Sequence, residues 1–166
     1  MSRTRDLVYG AVCAVLMAVC AWTTIPMVIP ITLQTFGVFL TMALLGGRRG
    51  TVSVAAYLLM GALGLPVFAG MQGGAGVLLG PTGGYLLGFL ALALVYWAVT
   101  AHGGSRLLAS LLGQAVCYAF GTAWYMVLYQ AESLLSVLGL CVVPFILPDA
   151  VKLALALMAA KRIPIE

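Results

Sequence analysis

The chain has 166 residues, of which 64% are apolar and 7% are charged, with a formal net charge of +4. Soluble domains carry about 25% charged residues, and a soluble chain of this length cannot hide so much apolar surface because part of every folded surface contacts water. The composition therefore excludes an ordinary soluble domain and predicts an all-α, multi-span membrane protein with a single domain, 1–166.

The first predicted span begins after two basic residues, Arg3 and Arg5, as a signal peptide would. Its apolar run continues from Leu7 to about Ile25, and no small-residue cleavage site ends it, so we expect a retained helix. Six spans are predicted along the chain, at about 5–25, 31–46, 51–63, 82–101, 105–130 and 145–161. The four cysteines, Cys13, Cys20, Cys117 and Cys141, all lie in apolar segments. We expect them to be small apolar side chains rather than metal ligands or disulfide partners.

Small residues recur at every fourth position of the first span, at Gly10, Ala14 and Ala18. Such a stripe lets another helix approach closely. The approaching helix can belong to this protein's own bundle, which the sequence slightly favours, or to a partner protein.

The segment 30–37, which contains Gln34, opens the second predicted span. Its side chain could hydrogen-bond an amide or ureido group of a ligand. Bonding to a neighbouring helix is the commoner role of a glutamine in a membrane span.

A loop rich in glycine and proline, 64–81, separates the third and fourth spans and carries no charge. Its glycines exclude a regular helix. Irregular backbone at membrane depth is tolerated only against protein or a water-filled cavity. The loop is therefore either a lid or re-entrant segment lining a site, or an unstructured exterior connection.

Asp149 and Lys152 lie inside the last predicted span. A charged group at the bilayer centre costs about 2.5–3.5 kcal/mol, so such residues usually face a cavity or one another. Their i, i+3 spacing places both on one helix face. Because Pro148 suits a first helical turn, we expect Asp149 near the helix N-terminus. The alternative to a functional site is an ion pair that only fixes the helix.

The basic loop residues all fall on one side of a six-span arrangement: Arg3, Arg5, Arg48, Arg49, Arg106, Lys161 and Arg162. The positive-inside rule then predicts that this side, with both termini, is cytoplasmic. This distribution favours membrane topology over nucleic-acid binding as the reason for the positive net charge.

Three segments together resemble the BioY family, the biotin-specific S components of energy-coupling factor transporters. They are PITLQTFGVFL at 30–40, GLPVFAGMQGGAGVLLGPTGGYLLGF at 64–89 and PFILPDAVKLALA at 144–156. The resemblance implies a six-helix S-component fold in the bacterial plasma membrane that captures biotin on the outer side. It also implies a transmembrane T component and two cytoplasmic ATPase subunits as partners, with no cofactor and no enzymatic activity.

On this resemblance we expect ligand contacts, lid positions and a partner surface at defined residues. The expected biotin contacts are Asp149, Lys152, Gln34, Tyr85, Gln72 and Phe68; the lid glycines are Gly70, Gly73 and Gly74; and the partner contacts are Gly10, Ala14 and Ala18. The spacing of Asp149 and Lys152 favours both reading the ureido ring, and the alternative pairs Lys152 with the ligand carboxylate. Two rival functions are an S component for another vitamin and a small membrane enzyme using either residue as acid or base.

Overall fold

The computed structural model describes residues 3–130 and 133–163. Seven α-helices, two short strands and one 3-10 turn make up this part of the chain. In order they are α1 (Arg3–Trp22), β1 (Thr24–Ile25), β2 (Ile31–Thr32), α2 (Gln34–Ala62), the 3-10 turn (Ala69–Met71), α3 (Ala75–Leu78), α4 (Gly83–Ala101), α5 (Arg106–Tyr129), α6 (Leu134–Cys141) and α7 (Val143–Arg162). The strands β1 and β2 form an antiparallel hairpin that joins α1 to α2.

Helix α2 is two antiparallel arms joined at Gly46, whose φ of 76° and ψ of −179° are not helical. The Nε2 atom of Gln34 donates to the hydroxyl of Tyr57 at 2.7 Å. In a straight helix these residues would lie about 35 Å apart. The chain therefore reverses at Gly46, and the arms correspond to the predicted spans 31–46 and 51–63.

Four helical stretches of the described chain are long and apolar enough to cross a membrane: Thr4–Trp22, Gly83–Ala101, Arg106–Tyr129 and Leu134–Arg162. The two arms of α2 complete a six-helix bundle among the described residues, as the predicted six-helix fold requires. Residues 134–141 form the separate helix α6, which lies between the predicted spans 105–130 and 145–161.

Three of the predicted cytoplasmic elements meet at one end of the bundle. The Nε atom of Arg49, just after the reversal of α2, lies 3.2 Å from a carboxylate oxygen of Asp6 in α1. Gly47 lies against Trp97 near the end of α4, where a Cβ on the glycine would come within 2.6 Å of the indole ring. The start of α1, the α2 reversal and the end of α4 therefore share one end. The side of the membrane that this end faces stays a prediction, as does the location of the termini.

The small-residue stripe of α1 packs inside the protein. Ala14 and Ala18 are only 2% and 4% exposed, and a Cβ on Gly10 would lie 3.1 Å from the hydroxyl of Ser53 in α2. The burial of Ala14 and Ala18 favours internal packing of the stripe over contact with another protein, and contact of Gly10, Ala14 and Ala18 with a partner stays a prediction. The opposite face of α1 is the exposed one and carries larger side chains, among them Val12 and Val15.

Helix α7 begins earlier than predicted. Pro144 occupies its first turn, Pro148 lies inside the helix, and the helix starts at Val143. Asp149 is therefore in the second turn, and the prediction that it lies at the helix N-terminus is wrong. The helix dipole falls off within the first turn, so the carboxylate must be stabilised by other groups.

Candidate functional site

A cavity of about 520 Å³ lies between the β1–β2 hairpin, the start of α2, the loop 68–82, and helices α4, α5 and α7. Cavities of roughly 300–1,000 Å³ are typical of small-molecule sites. The six predicted contact residues all line it: Gln34, Phe68, Gln72, Tyr85, Asp149 and Lys152. The structure therefore brings them together around one space, and their contact with a ligand stays a prediction.

The closed end of the cavity is organised around Asp149, which is 4% exposed. One carboxylate oxygen, Oδ1, accepts hydrogen bonds from Lys152 Nζ and from the Thr35 hydroxyl, each at 2.8 Å. The ammonium of Lys152 also donates to the Thr35 hydroxyl oxygen at 3.0 Å. The pair is therefore both an internal ion pair and part of a cavity wall, so the two interpretations of the sequence are compatible.

Helix α5 supplies the other half of this network. The carboxylate oxygen Oδ2 of Asp149 accepts from Gln114 Nε2 at 3.0 Å and from the Tyr118 hydroxyl at 2.7 Å. A carboxylate offers about four lone-pair positions, and all four are occupied. Hydrogen bonds from α2, α5 and α7 thus replace the hydration that the buried charge has lost.

Thr35, Gln114 and Tyr118 were not predicted as site residues from the sequence. The signal for the last two is their i, i+4 spacing, which places two polar side chains on one face of an apolar span. The amide oxygen of Gln114 is buried and accepts no hydrogen bond within the described structure. Because a buried acceptor without a donor costs about 1–3 kcal/mol, this group marks a place where polar contacts are incomplete.

Gln34 connects the closed end of the cavity to the loop 64–82. Its amide donates to the Tyr57 hydroxyl, which in turn donates to the Val67 carbonyl oxygen at 2.8 Å. Gln34 is 4% exposed. The glutamine therefore bonds a neighbouring helical arm, as the commoner interpretation of the sequence had it, while also lining the cavity.

Aromatic rings form part of the apolar wall. Phe68 is 1% exposed and stacks edge to face on Tyr57 with 5.7 Å between the ring centroids. Gly61 permits this packing, because any Cβ there would overlap the Phe68 ring. The hydroxyl of Tyr85 donates to the Cys141 carbonyl oxygen at 3.2 Å and thereby ties α4 to α6.

The loop between α2 and α4 is anchored rather than unstructured. The indole of Trp22 donates to the Pro66 carbonyl oxygen at 2.8 Å, and the Trp124 indole donates to the Gly80 carbonyl oxygen at 3.1 Å. The amide of Gly74 donates to the Gly61 carbonyl oxygen at 2.7 Å. The loop is therefore a structured cover over the cavity, and its movement on ligand binding stays a prediction.

Of the three predicted lid glycines, Gly70 lines the cavity, whereas Gly73 and Gly74 do not appear in its wall. Gly70 and Gly74 have φ of 66° and 99°, and a Cβ on Gly73 would overlap the Leu65 carbonyl oxygen. Fixed backbone geometry therefore requires glycine at these three positions.

The cavity mouth consists of the exposed residues that line the cavity, none of which carries a charge: Pro26, Met27, Val28, Gly70, Gln72 and Gly76. Three of them lie in the turn of the β1–β2 hairpin and three in the loop 68–82, so the opening lies between these two segments. The lining consequently runs from an exposed neutral mouth, past apolar rings, to the buried Asp149 network.

The cysteines match the expectation of small apolar side chains. Cys13, Cys20, Cys117 and Cys141 are all free and buried. Within residues 3–130 and 133–163, no group of three or more His, Cys, Asp and Glu side chains could hold a metal ion.

Comparison with known proteins gives consistent matches along the chain. The model of the BioY family matches residues 1–165. The biotin transporter BioY of Thermotoga maritima is 39% identical over 163 residues, covering 96% of this chain and 95% of that protein. A probable biotin transporter BioY of Pyrococcus horikoshii is 42% identical over 135 residues, covering 81% and 80%.

One solved structure matches the fold. It is the crystal structure of the S-component for biotin from an ECF-type ABC transporter, with a TM-score of 0.85 and 29% sequence identity. The match covers 98% of this chain and 93% of that chain.

Proposed function

Because the chain belongs to the BioY family, we propose that it captures biotin as the S component of an energy-coupling factor importer and uses the cavity around Asp149 as the binding site. The chain is a multi-pass membrane transport protein and not an enzyme. In this proposal a transmembrane T component and two cytoplasmic ATPase subunits supply the energy, and the complex lies in the bacterial plasma membrane.

The observation that carries the assignment is the buried Asp149 network at the closed end of a mostly apolar cavity. Biotin combines a ureido ring, which has two N–H donors and a carbonyl acceptor, with an apolar sulfur ring and a carboxylate tail. Polar groups at one end and rings along the wall match this distribution.

The hydrogen-bond capacity of the network supports placing the ureido ring at its surface. An ammonium has three donors, and Lys152 uses two of them, on Asp149 and Thr35. The third is available for the ureido carbonyl. The ureido N–H groups exchange with Gln114 or Tyr118 as donors to the carboxylate, since its four positions are filled before the ligand enters.

Equilibrium binding of radiolabelled biotin to the purified protein in detergent tests the function. We expect saturable binding, recovery of chemically unchanged biotin, and no competition by vitamins that lack a ureido ring. Monodisperse protein that binds no biotin, or that binds another vitamin more tightly, would contradict the proposal.

A matched pair of variants tests the site. Thr35→Val removes a hydroxyl that bonds both Asp149 and Lys152, and we expect about tenfold weaker biotin binding because hydrogen bonds to charged groups contribute about 1.5–3 kcal/mol. Thr100→Val removes a hydroxyl that donates to the Tyr96 carbonyl oxygen within α4, away from the cavity, and should leave binding unchanged. Equal effects of the two substitutions would argue against a role of the Asp149 network in binding.

A further inference from the structure

The charges that line the cavity determine which derivatives of the ligand can bind there. Asp149 and Lys152 are the charged residues of its lining within the described chain. Their charges lie 2.8 Å apart, so the lining as a whole is neutral. An anionic ligand therefore meets no uncompensated positive charge inside the cavity.

Burial places this pair and the mouth at opposite ends. Asp149 and Lys152 are 4% and 7% exposed, whereas Gln72, Met27 and the other mouth residues are exposed. The six mouth residues are all neutral, and Gln72 is the one among them with a polar side chain.

A ligand carboxylate at the closed end would bring a second negative charge beside Asp149. It would also compete with that carboxylate for Lys152, whose positive charge is already compensated. Burying an uncompensated charge is costly, whereas a carboxylate at the exposed mouth keeps its hydration. The tail of the ligand should therefore lie at the mouth, where its charge contributes little.

We propose that this cavity also accepts biotin whose carboxyl group is linked as an amide, including biotin joined to the ε-amino group of lysine. This inference rests on the proposed biotin-binding function and extends its range of ligands. The added group extends through the neutral mouth into solvent, and the ureido ring makes the same contacts with the Asp149 network as in free biotin.

Direct titration of the purified full-length protein with four ligands tests this inference: biotin, its primary amide, Nε-biotinyl-lysine and biotin methylated on a ureido nitrogen. We expect the first three dissociation constants to agree within about tenfold, since an exposed charge contributes at most about that factor. The methylated ligand should bind about 10- to 150-fold more weakly, because it loses a buried hydrogen bond to a charged group.

Tight biotin binding together with an amide or lysine conjugate more than about tenfold weaker would overturn the inference and leave the proposed function intact. Absence of biotin binding would instead refute the proposed function. Gln72→Met, which keeps the length of the side chain without its amide, should change the affinities for biotin and for its amide by the same factor. A loss confined to biotin would mean that the mouth recognises the carboxylate, and the inference would be wrong.

Discussion

Replacing Asp149 by asparagine leaves the Lys152 ammonium buried without its counter-charge. Lys152 is 7% exposed. In the variant its ammonium keeps the Thr35 hydroxyl oxygen as an acceptor and gains the amide oxygen of the new asparagine in place of the carboxylate. Breaking a buried pair by removing one partner costs about 3–5 kcal/mol. We therefore expect Asp149→Asn to destabilise the ligand-free protein by an amount in this range.

The partner substitution, Lys152→Met, should cost less. The carboxylate of Asp149 then still accepts hydrogen bonds from Thr35, Gln114 and Tyr118. The double variant removes both charges and leaves neutral hydrogen bonds, which contribute about 0.5–1.5 kcal/mol each. The double variant should therefore be more stable than Asp149→Asn alone. All three variants should bind biotin weakly.

Thermal unfolding in one detergent, without ligand, measures these differences. For a chain of this size 1 kcal/mol corresponds to about 2–4 °C, so Asp149→Asn should lower the midpoint by about 6–20 °C. The double variant should recover at least half of that loss. Asp6→Asn is the matched control, because its partner Arg49 has a 43% exposed side chain and exposed pairs contribute only about 0–1 kcal/mol.

Additive losses in the double variant would refute the reasoning, because they would mean that the two charges do not stabilise one another. Recovery of biotin binding in the double variant would also contradict it, since binding would then not depend on the Asp149 network.

Three further predictions concern α1, the loop and the topology. Ala18→Trp should abolish folding or biotin binding because the side chain is 4% exposed, while Val15→Trp, at a position 60% exposed, should leave binding intact; equal tolerance in a binding assay would contradict the internal packing of the stripe. A spin label at Ala75 should lose mobility when biotin is added, and an unchanged spectrum at saturation would argue against lid movement. A cysteine at Gln72 should react with an impermeant maleimide added to intact cells, and labelling only after permeabilisation would refute the predicted topology.

Several features of the fold could be predicted because the bilayer restricts the composition. The apolar runs indicated the crossing segments, and Asp149 and Lys152 stood out because ionisable side chains are expensive there. The start of α7 was misplaced since Pro148 suits a first helical turn, but Pro144 occupies that position.

The partners of these charged residues could not be predicted in the same way. Gln114 and Tyr118 lie more than 30 positions from Asp149 along the chain, so only the packing of α5 near α7 brings them together. The α1 stripe was ambiguous for a related reason, because close packing requires the same small residues whether the approaching helix is α2 or a separate protein.

The hydrogen-bonded chain from Gln34 through Tyr57 to the Val67 carbonyl oxygen has a thermodynamic consequence. One end lies in the cavity wall and the other holds the loop that covers it. If a ligand takes over the Gln34 amide, the free energy that fixes Val67 changes. Linkage between two equilibria is reciprocal. A ligand that shifts the equilibrium between the held and the released loop by some factor has its own affinity changed by that same factor when the loop is held or released from outside. Another subunit that contacts the loop would act on ligand affinity in this way.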